Sequence, residues 1–297
     1  MKIVIENTIE QYEKLFSIET ERENYFRYSM MKPFEKMWNM IHVPLEAKQP
    51  NGYDVIMATK MLGYLDVSDT TIGKKALDTF KEIQALQIVH DTLNHLVHFI
   101  QQNNLYINAD QLTFGLYIAD PQKLKLQKGY CGFGGIPGFI QVTMYPYSYN
   151  IPRLPALIAH EFHHNVRFSY FDWDHGNVTV GDYLIIEGLA ESFAKELYGE
   201  ELLGPWVTSD KEDLQYSIEV MKDVLNVKGF AEVSSYMFGD MYAIEQGYEP
   251  VGLSPFSGYA VGYEAVQSFM KMNHVGIKEA TLLSTEEIIN HCPLFSK

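Results

Sequence analysis

Residues 154–170 read LPALIAHEFHHNVRFSY, an apolar stretch with His160, Glu161, His163 and His164 at its centre. Histidine and glutamate are poor core residues, so four of them in five positions on a packed helix serve something besides packing. His160 and His164 stand one helical turn apart, so both imidazoles leave the same face and can share one tetrahedral ion. Glu161 is turned about 100° from His160, which sets it beside such an ion rather than on it. There it can accept a proton from water polarised by the metal, and that is the physical content of the pattern H-E-x-x-H. His163 falls in the variable positions and points elsewhere on the helix, toward a hydrogen-bonded role. Arg167 shares a side with His164, where it could hold a substrate carbonyl, although an ion pair with a carboxylate is the plain expectation.

A zinc ion that performs chemistry takes three protein ligands and keeps a fourth position for water. The metzincin spacing would place glycine at 167 and histidine at 170, but the chain has Arg167 and Tyr170 there. The next helical stretch offers EGLAE, with Glu187 and Glu191 one turn apart. On a solvated surface they would be two like charges that repel modestly. Facing a metal, Glu187 supplies the third ligand, and Glu191 accepts the free ring N–H of a liganding histidine and fixes its tautomer. Gly188 between them lets two helices approach closely. Asp172, Asp174 and His175, in FDWDHGN, are the reserve ligands. An oxyanion donor is also needed, and Tyr259 or Tyr263, one turn apart near the start of a later helix, could reach the cleft, with packing the simpler role for either.

Working outward, Asn150 and Pro152 suit a helix start, so the histidine helix is expected from there to about Phe168. The EGLAE helix is expected from near Asp182 to Gly199. Upstream, GYCGFGGIPGFIQVTMYP packs five glycines between Gly129 and Gly138 and ends in a β-rich tail. Glycine and proline inside a strand mark an edge and a close backbone approach, so Ile136 to Thr143 reads as an edge strand, with a plain glycine-rich turn entering a strand as the equal alternative. Gly135, Ile136, Gly138 and Phe139 are then the candidates for binding an extended peptide by β-addition. KIVIENT and QLTFGLYIAD alternate as strands do. Helical periodicity runs from Thr20 to His42, Tyr53 to Tyr64 and Thr71 to Gln102, and then through Leu214–Leu225, Tyr259–Met272 and Thr285–His291. His90, His95 and His98 fall on the third of these runs, where capping or edging a core is the simpler reading than metal binding.

The chain's 297 residues, 46% of them hydrophobic, can bury a core without disulfides. Cys131 and Cys292 form no ligand or redox motif and read as reduced thiols of a cytosolic protein. A net charge of -15, from 23 basic against 38 acidic residues, disfavours nucleic acid and anionic membranes as partners. The opening MKIVIENTIEQYEKLFS lacks the apolar core of a signal peptide. A cytoplasmic setting is the expectation.

HEFHH followed by EGLAE resembles the gluzincin arrangement of thermolysin-like zinc peptidases. More closely, GFGGIPGFI, LIAHEFHHNVRF, EGLAE and GYAVGY resemble the bacterial predicted Zn-dependent proteases of the YjaZ kind, over about residues 110 to 275. The resemblance implies an α+β, mainly helical zincin-like fold with a small mixed sheet carrying a glycine-rich edge strand. It implies one Zn2+ per chain on His160, His164 and Glu187, with Glu161 as base, acting on a peptide or protein substrate. Two lobes are expected: residues 1–170 with the H-E-x-x-H helix, and 171–297 with the third ligand. The competing expectation is a zincin-fold zinc-binding protein with a regulatory, non-proteolytic role.

Overall fold

The first strand, β1 (Lys2–Ile5), joins β2 (Gln111–Ile118), β3 (Tyr130–Ile136) and β4 (Phe139–Met144) in a four-stranded mixed sheet of order β1-β2-β4-β3. The computed structural model describes residues 1–49, 52–174 and 176–295. The rest of the described chain is mainly helical, so the α+β class holds. β1 and β2 are parallel, with Ile3 opposite Leu112, and β2 and β4 are parallel, with Phe114 opposite Ile140. β3 returns antiparallel along β4, with Cys131 opposite Thr143. Every residue of β2 after Gln111 is buried, as expected for an inner strand covered on both faces.

The glycine-rich segment divides differently from the sequence reading. Pro137 and Gly138 form a two-residue turn between paired Ile136 and Phe139, with Gly138 at φ +94°. That positive φ is open to glycine at no steric cost, so the chain reverses there. The edge strand is therefore β3, Tyr130–Ile136, and not 136–143. Phe139 lies on β4, between β2 and β3. The physical reason is side-chain supply: FIQVTM has the bulk to fill an inner strand, whereas YCGFGGI does not.

The chain forms two compact units, Met1–Ile100 with Ile107–Asn165, and Gln101–Tyr106 with Val166 onward. In the first unit α1 (Thr8–Ser17) places Tyr12 to accept a hydrogen bond from the Ile118 N–H at 2.9 Å. The run expected as one helix from Thr20 breaks into α2 (Arg22–Tyr25), a π-helical turn at Phe26–Met30 and α3 (Glu35–Met40). Asp54 caps α4 (Val55–Met61) by accepting from the Ile56 N–H, and also pairs with Arg27 at 2.9 Å. The long run from Thr71 is two helices, α5 (Thr70–Glu82) and α6 (Ala85–Gln102), because Gln84 takes φ +52° and ends the first. His90, His95 and His98 lie exposed on α6, and the metal-competent cluster among the described residues contains none of them. α7 (Leu154–Arg167) follows a single 3-10 turn at Ile151–Arg153, so the helix starts later than Asn150 suggests.

The second unit is helical. α8 (Val180–Tyr198) opens on a capping box, in which Thr179 accepts from the Asp182 N–H and the Asp182 carboxylate accepts from that of Thr179. α9 (Lys211–Lys222), α10 (Phe230–Phe238), α11 (Asp240–Gln246) and α12 (Ser257–Asn273) follow, then α13 (Ile277–Leu282) and α14 (Thr285–Asn290). α8 and α12 touch through glycine: a Cβ at Gly188 would come within 2.0 Å of the Gly262 carbonyl oxygen, and one at Gly262 within 2.2 Å of that of Leu184. The GYAVGY stretch thus serves helix contact. Val180, Leu184, Met221, Met237 and Val261 form the apolar cluster around it. No described helix is long and apolar enough to cross a membrane.

Arg167 is fully buried and finds carbonyls where a carboxylate was expected. Its Nη1 donates to the backbone oxygens of Thr281 and Leu283, each at 2.6 Å, and its guanidinium lies 3.6 Å above the Phe171 ring. Burial pulls its pKa down to about 10, against the opposing fields of Asp182 and Glu287, so it stays charged at neutral pH. Replacing it by leucine leaves two carbonyls at the end of α13 without their donor. Arg167→Leu should therefore lower the unfolding free energy by about 3 kcal/mol, read as an earlier urea midpoint at unchanged slope.

Candidate metal centre

The part of α7 in the first unit buries an apolar set, Leu154, Leu157, Ile158 and Phe162. Beside those residues the helix buries His160, Glu161, His163, His164 and Asn165, each no more than 6% exposed. His160 and His164 converge as their spacing requires, with Nε2 atoms 3.1 Å apart and rings nearly perpendicular at 88°. Glu187 of α8 completes the group: one ligand atom from each of His160, His164 and Glu187 lies within 4.8 Å of the others, and all three residues are buried. A tetrahedral ion with bonds of about 2.0–2.1 Å separates its ligand atoms by roughly 3.3 Å, so two imidazoles and a carboxylate in this spacing fit a zinc-sized cation.

The solvated reading of the EGLAE glutamates is overturned by burial. Glu187 and Glu191 are 6% and 2% exposed on a helix whose other buried residues are apolar apart from Ser192. The indole N–H of Trp206 donates to Oε1 of Glu191, a buried contact that sequence reasoning did not find. The reserve ligands stand apart from the cluster: Asp172 and Asp174 are exposed, Asp174 accepts from the Gly176 N–H at 3.0 Å, and His175 lies outside the described residues. His163 is completely buried and is no member of the three-residue group.

The tyrosines divide. Tyr259 packs half-buried among Phe238 and Phe256 in the apolar cluster of the second unit. Tyr263 is buried, with the Lys195 ammonium 5.6 Å from its ring centroid, and burial raises its pKa although that ammonium acts to lower it.

Three residues missed in the sequence build the surroundings of Glu161. A Cβ at Gly132 would lie 2.4 Å from Cγ and from Oε1 of Glu161, and one at Gly134 would lie 2.1 Å from its backbone oxygen. β3 therefore rests directly on α7. Asn165, one turn beyond Glu161, ties the hairpin down: its Oδ1 accepts from the Gly138 N–H at 2.7 Å, and its Nδ2 donates to the oxygens of Gly134 at 2.7 Å and Phe139 at 3.1 Å. The Gly138 N–H and the Phe139 carbonyl, expected to bind peptide, are thus already engaged within the protein. A buried asparagine in HEFHHN was the readable signal, since an amide in a core must be satisfied by nearby backbone. Behind the strand, burial and then the Glu161 charge push the Cys131 thiol up to about 12.

These features define a buried group of two imidazoles and one carboxylate that could hold a metal ion, with Glu161 and a glycine-lined strand beside His160. The chain belongs to the family described as Predicted Zn-dependent protease, whose model matches residues 85–290. It is similar to the uncharacterized protein YjfC of Bacillus subtilis (strain 168), 64% identical over 298 residues and the whole of both chains. It is also similar to the uncharacterized protein YjaZ of the same organism, 27% identical over 138 residues, 46% of this chain and 49% of that one. No solved structure matches.

Two outcomes are expected. Native protein should carry about one zinc per chain by elemental analysis, and His164→Ala or Glu187→Ala should each reduce that content severely. Alkylation requires thiolate, so Cys131 in folded protein should resist iodoacetamide at pH 8, several units below its pKa, and react on unfolding.

Proposed function

We propose that the protein is a zinc-dependent peptidase that hydrolyses peptide bonds with Glu161 as general base. The observation that carries this reading is the buried His160, His164 and Glu187 group with an intact glutamate between the two histidines. A zinc held only for structure has no use for that glutamate, because such a site is closed by four ligands and activates no water. His160, His164 and Glu187 would hold the ion, and zinc bound there would supply Lewis acidity toward water and a substrate carbonyl.

The chain's own residues perform the rest. Glu161 accepts the proton of the attacking water and returns it to the leaving amine, two transfers that need no other acid. Glu191 orients a liganding imidazole, itself steadied by Trp206. Tyr263 donates to the developing oxyanion, with Tyr259 a weaker candidate because its ring is committed to packing. The outer edge of β3, which carries Gly135 and Ile136, binds the substrate as an added strand.

Glu161→Gln tests the reading, because glutamine keeps shape and hydrogen bonding but accepts no proton. Zinc content should be retained while hydrolysis of a mixed peptide library falls by at least about 100-fold. Undiminished turnover in that variant sinks the assignment of the base. A zinc-loaded native protein that cleaves nothing in the library points instead to a binding role.

A further inference from the structure

We propose that an open cavity on the first unit binds a free amino acid, with the ligand's carboxylate on Arg22 and its ammonium on Glu19 and Glu21. The site is independent of the peptidase reading and shares no residue with the metal-competent group. The cavity holds about 510 Å3, within the range of small-molecule sites. Its walls come from the turn before α2, from α2 itself, and from the end of α4 with the segment that follows it. Among the lining residues only Val67 is apolar, so the ligand this space suits is a charged one.

Three cations and four carboxylates line the cavity, and most of them are already matched. Arg27 pairs with Glu23 at 3.2 Å and with Asp54 at 2.9 Å. Lys60 pairs with Asp66 at 2.5 Å, and the Ser68 hydroxyl donates to the same carboxylate at 2.7 Å. Arg22 is different. Among the described residues its side chain has no ion pair and no hydrogen bond, and its Nε is buried without an acceptor. Acidic neighbours in sequence do not supply one: Glu23 is taken by Arg27, and Glu21, at φ +67°, turns its carboxylate to the Asn24 amide. Glu19 is exposed and, among the described residues, has no cation of its own.

The charges left over are therefore one guanidinium and two carboxylates. A half-buried guanidinium without an acceptor bears an uncompensated desolvation cost, and a ligand carboxylate has the geometry that meets its fork. A simple anion would satisfy Arg22 but be repelled by Glu19 and Glu21, and a metal ion would do the reverse. A molecule with carboxylate and ammonium on one carbon suits both, and that is an α-amino acid.

Calorimetric titration of the intact protein with each of the common amino acids tests the site. At least one should bind, one molecule per chain, with a Kd of about 1 mM or tighter. Arg22→Gln should weaken that binding at least about 10-fold, and Arg22→Lys less, because charge stays while the fork is lost. The N-acetyl and amide derivatives should each bind at least about 10-fold worse, since each lacks one of the two charges. Glu19→Gln combined with Glu21→Gln should erase the penalty for N-acetylation. Both Arg22 variants should melt close to native protein, because the side chain holds nothing else in the fold. Binding that Arg22→Gln leaves intact puts the ligand elsewhere, as at the metal-competent group, and overturns the proposal. So does inorganic phosphate or an N-acetyl derivative that binds as well as the free amino acid, which would make this a plain anion site. A titration in which no amino acid binds overturns it too, as does early melting of both Arg22 variants, which would assign the residue to the fold.

Discussion

Burying charge is the constraint on which this structure turns. α7 and α8 carry three carboxylates, Glu161, Glu187 and Glu191, and three imidazoles, all less than a tenth exposed. An isolated buried carboxylate costs several kcal/mol unless positive charge or strong donors meet it. A divalent cation shared by His160, His164 and Glu187 would answer much of that demand, and the Trp206 indole answers part of it at Glu191. The surrounding helices are apolar for the same reason: a dry wall strengthens every charge interaction inside it.

Glycine supplies the second theme, close approach in both units. Gly188 and Gly262 let α8 and α12 touch backbone to backbone, which fixes the face on which Glu187 emerges. Gly132 and Gly134 do the corresponding work for β3 and α7. In both places the missing side chain brings a buried carboxylate's own stretch of helix against a close neighbour.

The metal-competent group was legible because its spacing is local. His160 and His164 are read from a single helical turn, and Glu187 from a carboxylate pair on the next helical stretch. The fold class was legible as well, since the alternation in KIVIENT and QLTFGLYIAD has no helical rendering. What failed was wherever one backbone angle outweighed periodicity. A positive φ at Gln84 split a helix that the apolar stripe continues, and Gly138 turned the chain so that the glycine-rich half, not the tail, became the edge. Arg167 was misread because a pattern on one helix cannot show carbonyls more than a hundred residues away. Asn165, although an amide in a packed helix signals nearby backbone partners, and Trp206 were missed because those partners lie 15 to 31 residues away on other elements. Membership of the predicted Zn-dependent protease family agrees with the local chemistry, and the uncharacterized relatives add length to the match without adding a substrate.

The amide of Asn165 has one more consequence. It stands four residues after Glu161, as His164 stands four after His160, so two independent attachments obey the same stride of the helix. Inserting or deleting one residue between them would rotate everything beyond by about 100°, unhooking the hairpin and misaligning the imidazoles together. Length variation in a lineage that keeps this chemistry is thereby barred from these six positions and diverted to the connections on either side.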